Sequence, residues 1–300
     1  MAAATVVDID GHQLKLSNLD KVLYPEVGFT KGQVIDYYAR VAPAMLTHVS
    51  DRCVTFRRFP NGVDASSFFE KRCPSHRPGW VEVALGPGDR TGPVEYCLLD
   101  DRAALVWAAN LAALELHTPM ARAADIEAPQ MVVFDLDPGA PAAMTECAVV
   151  ALEIRAALER LELDLWAKTS GSKGLQLYLP LNSPHTHEHA SQFALALAQL
   201  MEKHHPDLVV SNMKKDLRHG KVLIDWSQNS RHKTTVCAYS LRARPHPTVS
   251  TPVSWDEVAA AADGAPLTFE ADQVLERIED LGDLFADTAT LQQQLPPQRS

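Results

Sequence analysis

The sequence predicts an α+β fold with mixed and antiparallel sheets flanked by helices. Three observations point there. Helix-spaced and strand-like segments are interspersed without a regular βαβα rhythm. No GxGxxG opens a helix after a strand, which argues against a doubly wound sheet. The chain has 300 residues, 46% of them hydrophobic, ample for a full core without disulfides.

The elements follow in order. Val6–Ile9 and Gln13–Leu16 flank Asp10-Gly11 as a short hairpin. Thr30 is a helix N-cap; after it Val34, Ile35, Tyr38, Val41, Ala42 and Met45 recur at helical spacing to about His48. Cys53–Phe59 reads as a strand closed by Pro60-Asn61-Gly62, and Ser66–Glu70 as a second short one. Trp80–Val83 and Val94–Leu99 are expected strands around a turn at Gly86-Pro87-Gly88-Asp89. Asp101 opens an alanine-rich helix expected to run through Leu114.

The apolar run Met131–Leu136 is a buried strand meeting a turn, and Ala142–Leu161 is helical. Leu165–Lys168 and Leu175–Leu179 are strands, His187–His204 a helix, Val222–Asp225 a strand, and Thr234–Tyr239 a further candidate. Pro245–Pro252 is an irregular linker before helices at Trp255–Ala262 and Ala271–Leu281. No domain break is visible before Pro245. The expectation is a single domain over 1–300, with an N-terminal α/β module over about 1–115, a middle portion over about 116–245 and an acidic helical segment over about 246–300.

Several classes are excluded. The N-terminus has no basic region leading into an apolar one, and no apolar run approaches the ~20 residues of a membrane span. Cys53, Cys73, Cys97, Cys147 and Cys237 are scattered without a CxxC pair. They read as reduced, buried thiols of a cytoplasmic protein, with neither a disulfide framework nor a cysteine-built zinc site. His185, His187 and His189 would fan out on a helix and read as a solvated helix start. The net charge of −10 speaks against nucleic acid, but its distribution does not. Lys203–Arg244 carries nine Lys and Arg against three acids, a surplus of +6, whereas 250–300 carries ten acids against two arginines, −8.

The strongest chemical signal is Val133-Phe134-Asp135-Leu136-Asp137. Residues two apart on a strand share a face, so two carboxylates stand side by side at a strand end. Such a pair repels unless a cation intervenes, and hard divalent ions favour oxygen donors. Asp225, ending Val222-Leu223-Ile224, supplies a third. Three such acids can hold two metals roughly 3.5–4 Å apart; a turn or cap role is the alternative for each. In Ser170-Gly171-Ser172-Lys173-Gly174, backbone N–H groups, hydroxyls and a lysine could cradle a phosphate, although a plain hairpin turn has the same composition. Asp225-Trp226-Ser227-Gln228-Asn229, Arg231, Lys233, Arg242 and Arg244 follow with donors suited to a triphosphate or primer strand. Arg57-Arg58 and Phe68-Phe69 add basic and stacking groups, with one of the two phenylalanines expected in the core. His117 is ambiguous on spacing alone.

Six motifs in order carry a resemblance over about Leu16–Leu284. They are Asn18-Leu19-Asp20-Lys21-Val22-Leu23-Tyr24-Pro25, Pro60-Asn61-Gly62-Val63, Phe68-Phe69-Glu70-Lys71, Phe134-Asp135-Leu136-Asp137-Pro138, Thr169-Ser170-Gly171-Ser172-Lys173-Gly174 and Asp225-Trp226-Ser227-Gln228-Asn229. The chain resembles the polymerase domain of bacterial ligase D and its stand-alone relatives, in the archaeo-eukaryotic primase superfamily. The resemblance implies a primase-polymerase fold with an RRM-like catalytic palm. It implies Asp135, Asp137 and Asp225 as ligands of two manganese or magnesium ions. It points to Arg57, His117, Ser172, Lys173, Gln228 and Arg242 around the incoming nucleotide, with Phe69 stacking near a base. Asn18, Lys21 and Lys31 match a pocket for a DNA 5′-phosphate, and Arg218 and Lys221 a mobile primer-seating loop.

The implied activity is template-dependent extension of primer 3′ ends at DNA gaps or double-strand breaks, with ribonucleotides preferred. The implied partners are gapped or broken DNA, nucleoside triphosphates and a DNA ligase or end-binding protein, in the cytoplasm. Gln176 stands where many relatives have histidine, and Arg57 where lysine is frequent. With no ligase or nuclease module, the chain is an excised domain or a stand-alone paralogue, the polar C-terminus favouring the latter. De novo primer synthesis is the nearest alternative. A manganese-dependent glycosyltransferase and a non-catalytic DNA-end-binding module are the others.

Overall fold

The computed structural model describes residues 5–89 and 92–297. The chain divides into two compact units. One comprises the chain to Pro119, Val236–Ser250 and Phe269–Asp283; the other comprises Met120–Thr235, Thr251–Thr268 and the chain from Leu284. Among the described residues no helix is long and apolar enough to cross a membrane.

In the second unit, strand Met131–Pro138 is followed by helix Met144–Glu159, strands Trp166–Thr169 and Leu175–Pro180, helix His187–His204 and strand Val222–Asp225. Those four strands lie in spatial order fourth, first, third, second, all antiparallel. This βαββαβ arrangement is the RRM-like palm that the resemblance implies. Val209–Val210 extends one edge in parallel and Pro252–Val253 the other in antiparallel sense, so the six-stranded sheet is mixed. The two central strands read as near-continuous apolar runs, and Val132, Val133, Phe134, Leu136, Leu175, Leu177 and Leu179 are fully buried.

The first unit is built on helix Lys31–Val49, capped by the reciprocal Thr30–Gln33 box. Its apolar face buries Val34, Tyr37, Tyr38, Val41 and Met45. Strand Thr55–Arg58 pairs antiparallel with Phe68–Glu70 on one side and Ala113–Thr118 on the other. The tyrosine hydroxyls, costly to bury unpaired, donate to backbone carbonyls: Tyr38 to Leu114 at 2.7 Å and Tyr24 to Arg242 at 3.0 Å.

The structure corrects several expectations. The alanine-rich helix ends at Asn110, not Leu114. Ala112 takes φ +56, and Ala113–Thr118 becomes a central strand. Sheet pairing on both sides overrides helix propensity there. Gly86-Pro87-Gly88 is no turn but lies within strand Val83–Asp89, because Gly86 packs against Cys53 and Tyr96 where a side chain has no room. Cys73 and Cys97 form a disulfide, so the reading of five reduced thiols holds only for Cys53, Cys147 and Cys237, all buried. Their separation of 24 residues carries no spacing signal; the bond from Cys73 N–H to Glu95 O brings them together. His187 is not solvated at its helix start: its two ring nitrogens sit 3.0 and 3.1 Å from the carbonyls of Asn229 and Ile126.

Candidate active site

The three aspartates share one face of the palm sheet. Asp135 and Asp137 are two apart on strand Met131–Pro138, and Asp225 is the direct cross-strand partner of Asp135. The row continues: Gln176 is the partner of Asp135 on its other side, and Lys168 the partner of Gln176. Asp225, Asp135, Gln176 and Lys168 therefore form one polar line across four strands. Lys168 Nζ donates to Gln176 Oε1 at 2.5 Å, and Gln176 Nε2 donates to Asp135 Oδ1 at 3.1 Å. Lys168 is 1% exposed, its charge also facing the Tyr178 ring at 5.3 Å.

Burial, then the neighbouring Asp137 and Asp225, push the Asp135 carboxyl up to about 7, against the bond from Gln176. Three oxygen donors of one sign, with no thiolate or imidazole among them, fit a hard divalent cation that would relieve this repulsion. Asp225 is oriented by its own motif. Its Oδ1 accepts from Ser227 N and Oγ at 2.9 and 2.6 Å, and its Oδ2 accepts from Gln228 Nε2 at 2.8 Å. Asn229, fully buried, exchanges two 2.8 Å bonds with the Val133 backbone and so clamps this turn onto the Asp135 strand. With Asp225 so engaged, no three His, Cys, Asp or Glu side chains converge as a ready metal cluster among the described residues.

The Ser170–Gly174 loop folds back on itself. Ser170 Oγ accepts from the N–H groups of Ser172 and Gly174 at 3.2 Å each, while the Lys173 side chain is exposed. Arg218 donates to Met213 O at 2.6 Å and Lys221 to Pro206 O at 2.5 Å. Their loop is seated on the turn after the aspartate strand, where Gly139 N–H donates to Lys221 O and Gly220 N–H to Gly139 O.

A second cluster lies within the first unit. Glu115, 1% exposed, faces Arg57 at 3.4 Å, Arg242 at 3.3 Å and His117 at 2.9 Å, and accepts from Ala243 N–H at 3.0 Å. Phe69 meets the His117 ring edge-on at 5.6 Å and the Arg57 guanidinium at 5.4 Å. Neither Phe68 nor Phe69 is a core residue; they are 45% and 60% exposed on an edge strand, contrary to the expectation that one is buried. Asn18, Lys21 and Lys31 gather elsewhere in this unit, where the 17–21 loop meets the N-terminus of helix Lys31–Val49. Asn18 takes φ +55, Lys21 Nζ donates to Asn61 Oδ1 at 2.9 Å, and Lys31 Nζ donates to Ser17 O at 2.6 Å. Burial, then Lys21 and Arg58, lower the Lys31 ammonium to about 8. An anion would relieve that crowding of charge, at a helix end already suited to one.

Residues 30–285 match the sequence profile of the LigD primase-polymerase domain. The chain belongs to that family. LigD primase-polymerase domains are nucleotidyltransferases, and membership implies metal-dependent catalysis. The multifunctional non-homologous end joining protein LigD of Mycolicibacterium smegmatis is 44% identical over 276 residues, 91% of this chain and 36% of that protein. The bifunctional LigD of Bacillus subtilis is 31% identical, over 92% of this chain and 44% of its own length. The chain thus spans less than half the length of each of these curated relatives. The polymerase domain of Mycobacterium tuberculosis ligase D, solved in complex with DNA, matches at a TM-score of 0.87 and 43% identity, covering 92% of this chain and 98% of that one. The α+β class read from the interspersed helices and strands, and the polymerase assignment carried by the six motifs, are thereby borne out.

Sequence reasoning passed over Lys168 and Glu115. Each is a single charge inside an otherwise apolar strand segment, Leu165–Ala167 before the one and Ala112–Leu116 around the other. That was the available signal, since a lone charge in a buried run needs a partner.

Proposed function

We propose that this domain extends primer 3′ ends at gaps and breaks in DNA, adding nucleotides against a template and preferring ribonucleotides. The observation that carries the reading is the register of Asp135 against Asp225, with Asp137 on the same face. Two divalent ions, manganese in preference to magnesium, would supply charge neutralisation for the attacking 3′-hydroxyl and the departing pyrophosphate. Asp135, Asp137 and Asp225 would hold them, and Gln176 keeps Asp135 oriented. Arg57, His117 and Arg242 neutralise nucleotide phosphates, and Phe69 offers a ring to a base. Ser172, Lys173 and Gln228 serve as further phosphate donors, and Arg218 and Lys221 contact the primer strand. Asn18, Lys21 and Lys31 hold the 5′-phosphate at the far side of a gap. The end-joining names of the relatives support a role beside a ligase or an end-binding protein in break repair.

The test is primer extension on gapped DNA with manganese, comparing ribonucleotides with deoxyribonucleotides. Templated extension that stops on chelation of the metal is expected. Tight gap binding without synthesis would overturn the reading in favour of an end-binding module. Synthesis without a primer would favour a primase.

The phosphate pocket has its own signature. Lys31 is charged below about 8 and neutral above it, so preference for a 5′-phosphorylated over a 5′-hydroxyl gap is expected to decline from pH 7 to pH 9. Lys31→Met should reduce that preference about tenfold at pH 7, the worth of one charge-assisted contact. A preference that Lys31→Met leaves intact would remove this lysine from the pocket.

A further inference from the structure

The geometry points to Glu115 as a positioning residue that braces Arg57, Arg242 and His117 for the nucleotide's phosphates. This rests on the proposed reading of those three as phosphate ligands. Glu115 sits on one of the two central strands of its four-stranded sheet, directly opposite Arg57 in register. Its carboxylate meets all three cationic or basic side chains and one backbone N–H. Leu114 and Leu116 on either side are fully buried. A leucine at 115 would serve packing alone, whereas an ionised carboxylate there is unfavourable unless its partners offset the burial.

The partners are held so that binding capacity remains. The Arg57 guanidinium lies 5.0 Å from the Phe59 ring and 5.4 Å from the Phe69 ring, with Glu115 as its third neighbour. Its Nε is buried without a hydrogen-bond partner among the described residues, and the side chain is still 33% exposed. It is a donor set fixed in orientation and not consumed. A free arginine would lose rotamer freedom on binding; a braced one has already lost it. The backbone on both sides is pinned as well, by Tyr38 at Leu114 O and Tyr24 at Arg242 O.

Glu115 also sets the His117 tautomer. Burial raises a carboxyl, but the His117 bond, Arg242 and the Ala243 N–H outweigh it, and Glu115 stays far below the usual range. An ionised carboxylate only accepts, so His117 Nε2 carries the proton of this bond, and a second proton on Nδ1 makes the ring a donor to phosphate. Two guanidinium groups against one carboxylate leave the cluster cationic, as a polyphosphate requires.

The test is steady-state primer extension on gapped DNA across pH 5–8, with the parent, Arg57→Met, Glu115→Gln and the double variant. Glu115→Gln keeps the shape and removes the charge. It is expected to raise KM for the nucleotide about tenfold, with kcat changed less, because only ligand orientation is lost. Burial already holds the His117 imidazolium below its usual range, so the rise of KM with pH starts in the acid part of this window, and it should start lower still in Glu115→Gln, where His117 loses the carboxylate that favours its charged form. In the Arg57→Met background Glu115→Gln should add no more than about twofold, because its partner is gone.

Arg57→Met with parental KM would overturn the phosphate reading itself. Arg57→Met with raised KM, beside Glu115→Gln with parental or lowered KM, would overturn the brace alone. A lowered KM would mean that Glu115 merely subtracts charge. Should Glu115→Gln not fold, Glu115→Asp retains the charge but withdraws it by one methylene. A raised KM there supports the brace, and a parental KM overturns it.

Discussion

Asp135→Asn is expected to abolish nucleotide addition and at the same time to stabilise the metal-free protein at neutral pH. The two effects have one cause. The Asp135 carboxyl is held at about 7 by burial and by its carboxylate neighbours Asp137 and Asp225. A carboxyl whose folded value lies above its unfolded value of 3.8 favours the fold only while protonated. Its cost to stability therefore grows as pH rises from 3.8 to about 7 and is constant above. Asparagine never ionises, and it keeps an oxygen for Gln176 Nε2. One unit of such displacement corresponds to about 1.4 kcal/mol, so a Tm gain of several degrees is expected at pH 8 without metal. The gain should vanish near pH 4. Added manganese should stabilise the parent and not the variant. Removing one of three carboxylates from the proposed metal site is expected to cost at least about 10³-fold in extension rate. Melting curves at pH 4 and pH 8, with and without manganese, and single-turnover extension are the measurements. A variant less stable than the parent at pH 8 without metal would contradict the repulsion.

Gly174→Ala is expected to damage both stability and synthesis. A Cβ at Gly174 would lie far inside van der Waals contact distance of Leu136 O, with Pro138 Cδ only 3.2 Å away. Neither obstacle is the flexible end of a side chain, so strand Met131–Pro138 must shift, and Leu136 lies between Asp135 and Asp137. Overpacking of this kind costs about 1–3 kcal/mol or more, a Tm loss of roughly 5 °C or more in a chain of this size. Extension should fall beyond what the Tm loss explains, because the displaced residue separates two carboxylates. Gly79→Ala is the control: nothing lies within 4 Å of its Cβ, and no change is expected. A parental Tm for Gly174→Ala would show that the strand yields.

Gly174 also shows where sequence reasoning reached its limit. A glycine in Ser170–Gly174 was expected to let backbone N–H groups face a phosphate. In the fold the Gly174 N–H is taken by Ser170 Oγ, and the glycine is required by the Leu136 carbonyl pressed against it. The residue was correctly singled out, while the neighbour that demands it lies 38 positions earlier. Ala113–Thr118 is a parallel case. Its alanine-rich approach favours a helix locally, and only pairing with Thr55–Arg58 makes it a strand.

By itself the sequence determined the elements whose periodicity is local. Helices His187–His204, Trp255–Ala262 and Ala271–Leu281 match the expected limits, and helix Lys31–Val49 begins at its Thr30 cap and closes one residue past His48. It also determined that Asp135 and Asp137 share a face, since that follows from the two-residue period of any strand, and six motifs in order were enough for the family. Tertiary structure alone decided what depends on register and long-range pairing. It set Asp225 against Asp135, placed Gln176 and Lys168 in the same row, made Glu115 the common partner of Arg57, His117 and Arg242, and joined Cys73 to Cys97. The physical reason is that period and capping are properties of neighbouring residues. Charge neutralisation inside a sheet is a property of strands that the chain brings together from positions tens to more than a hundred residues apart.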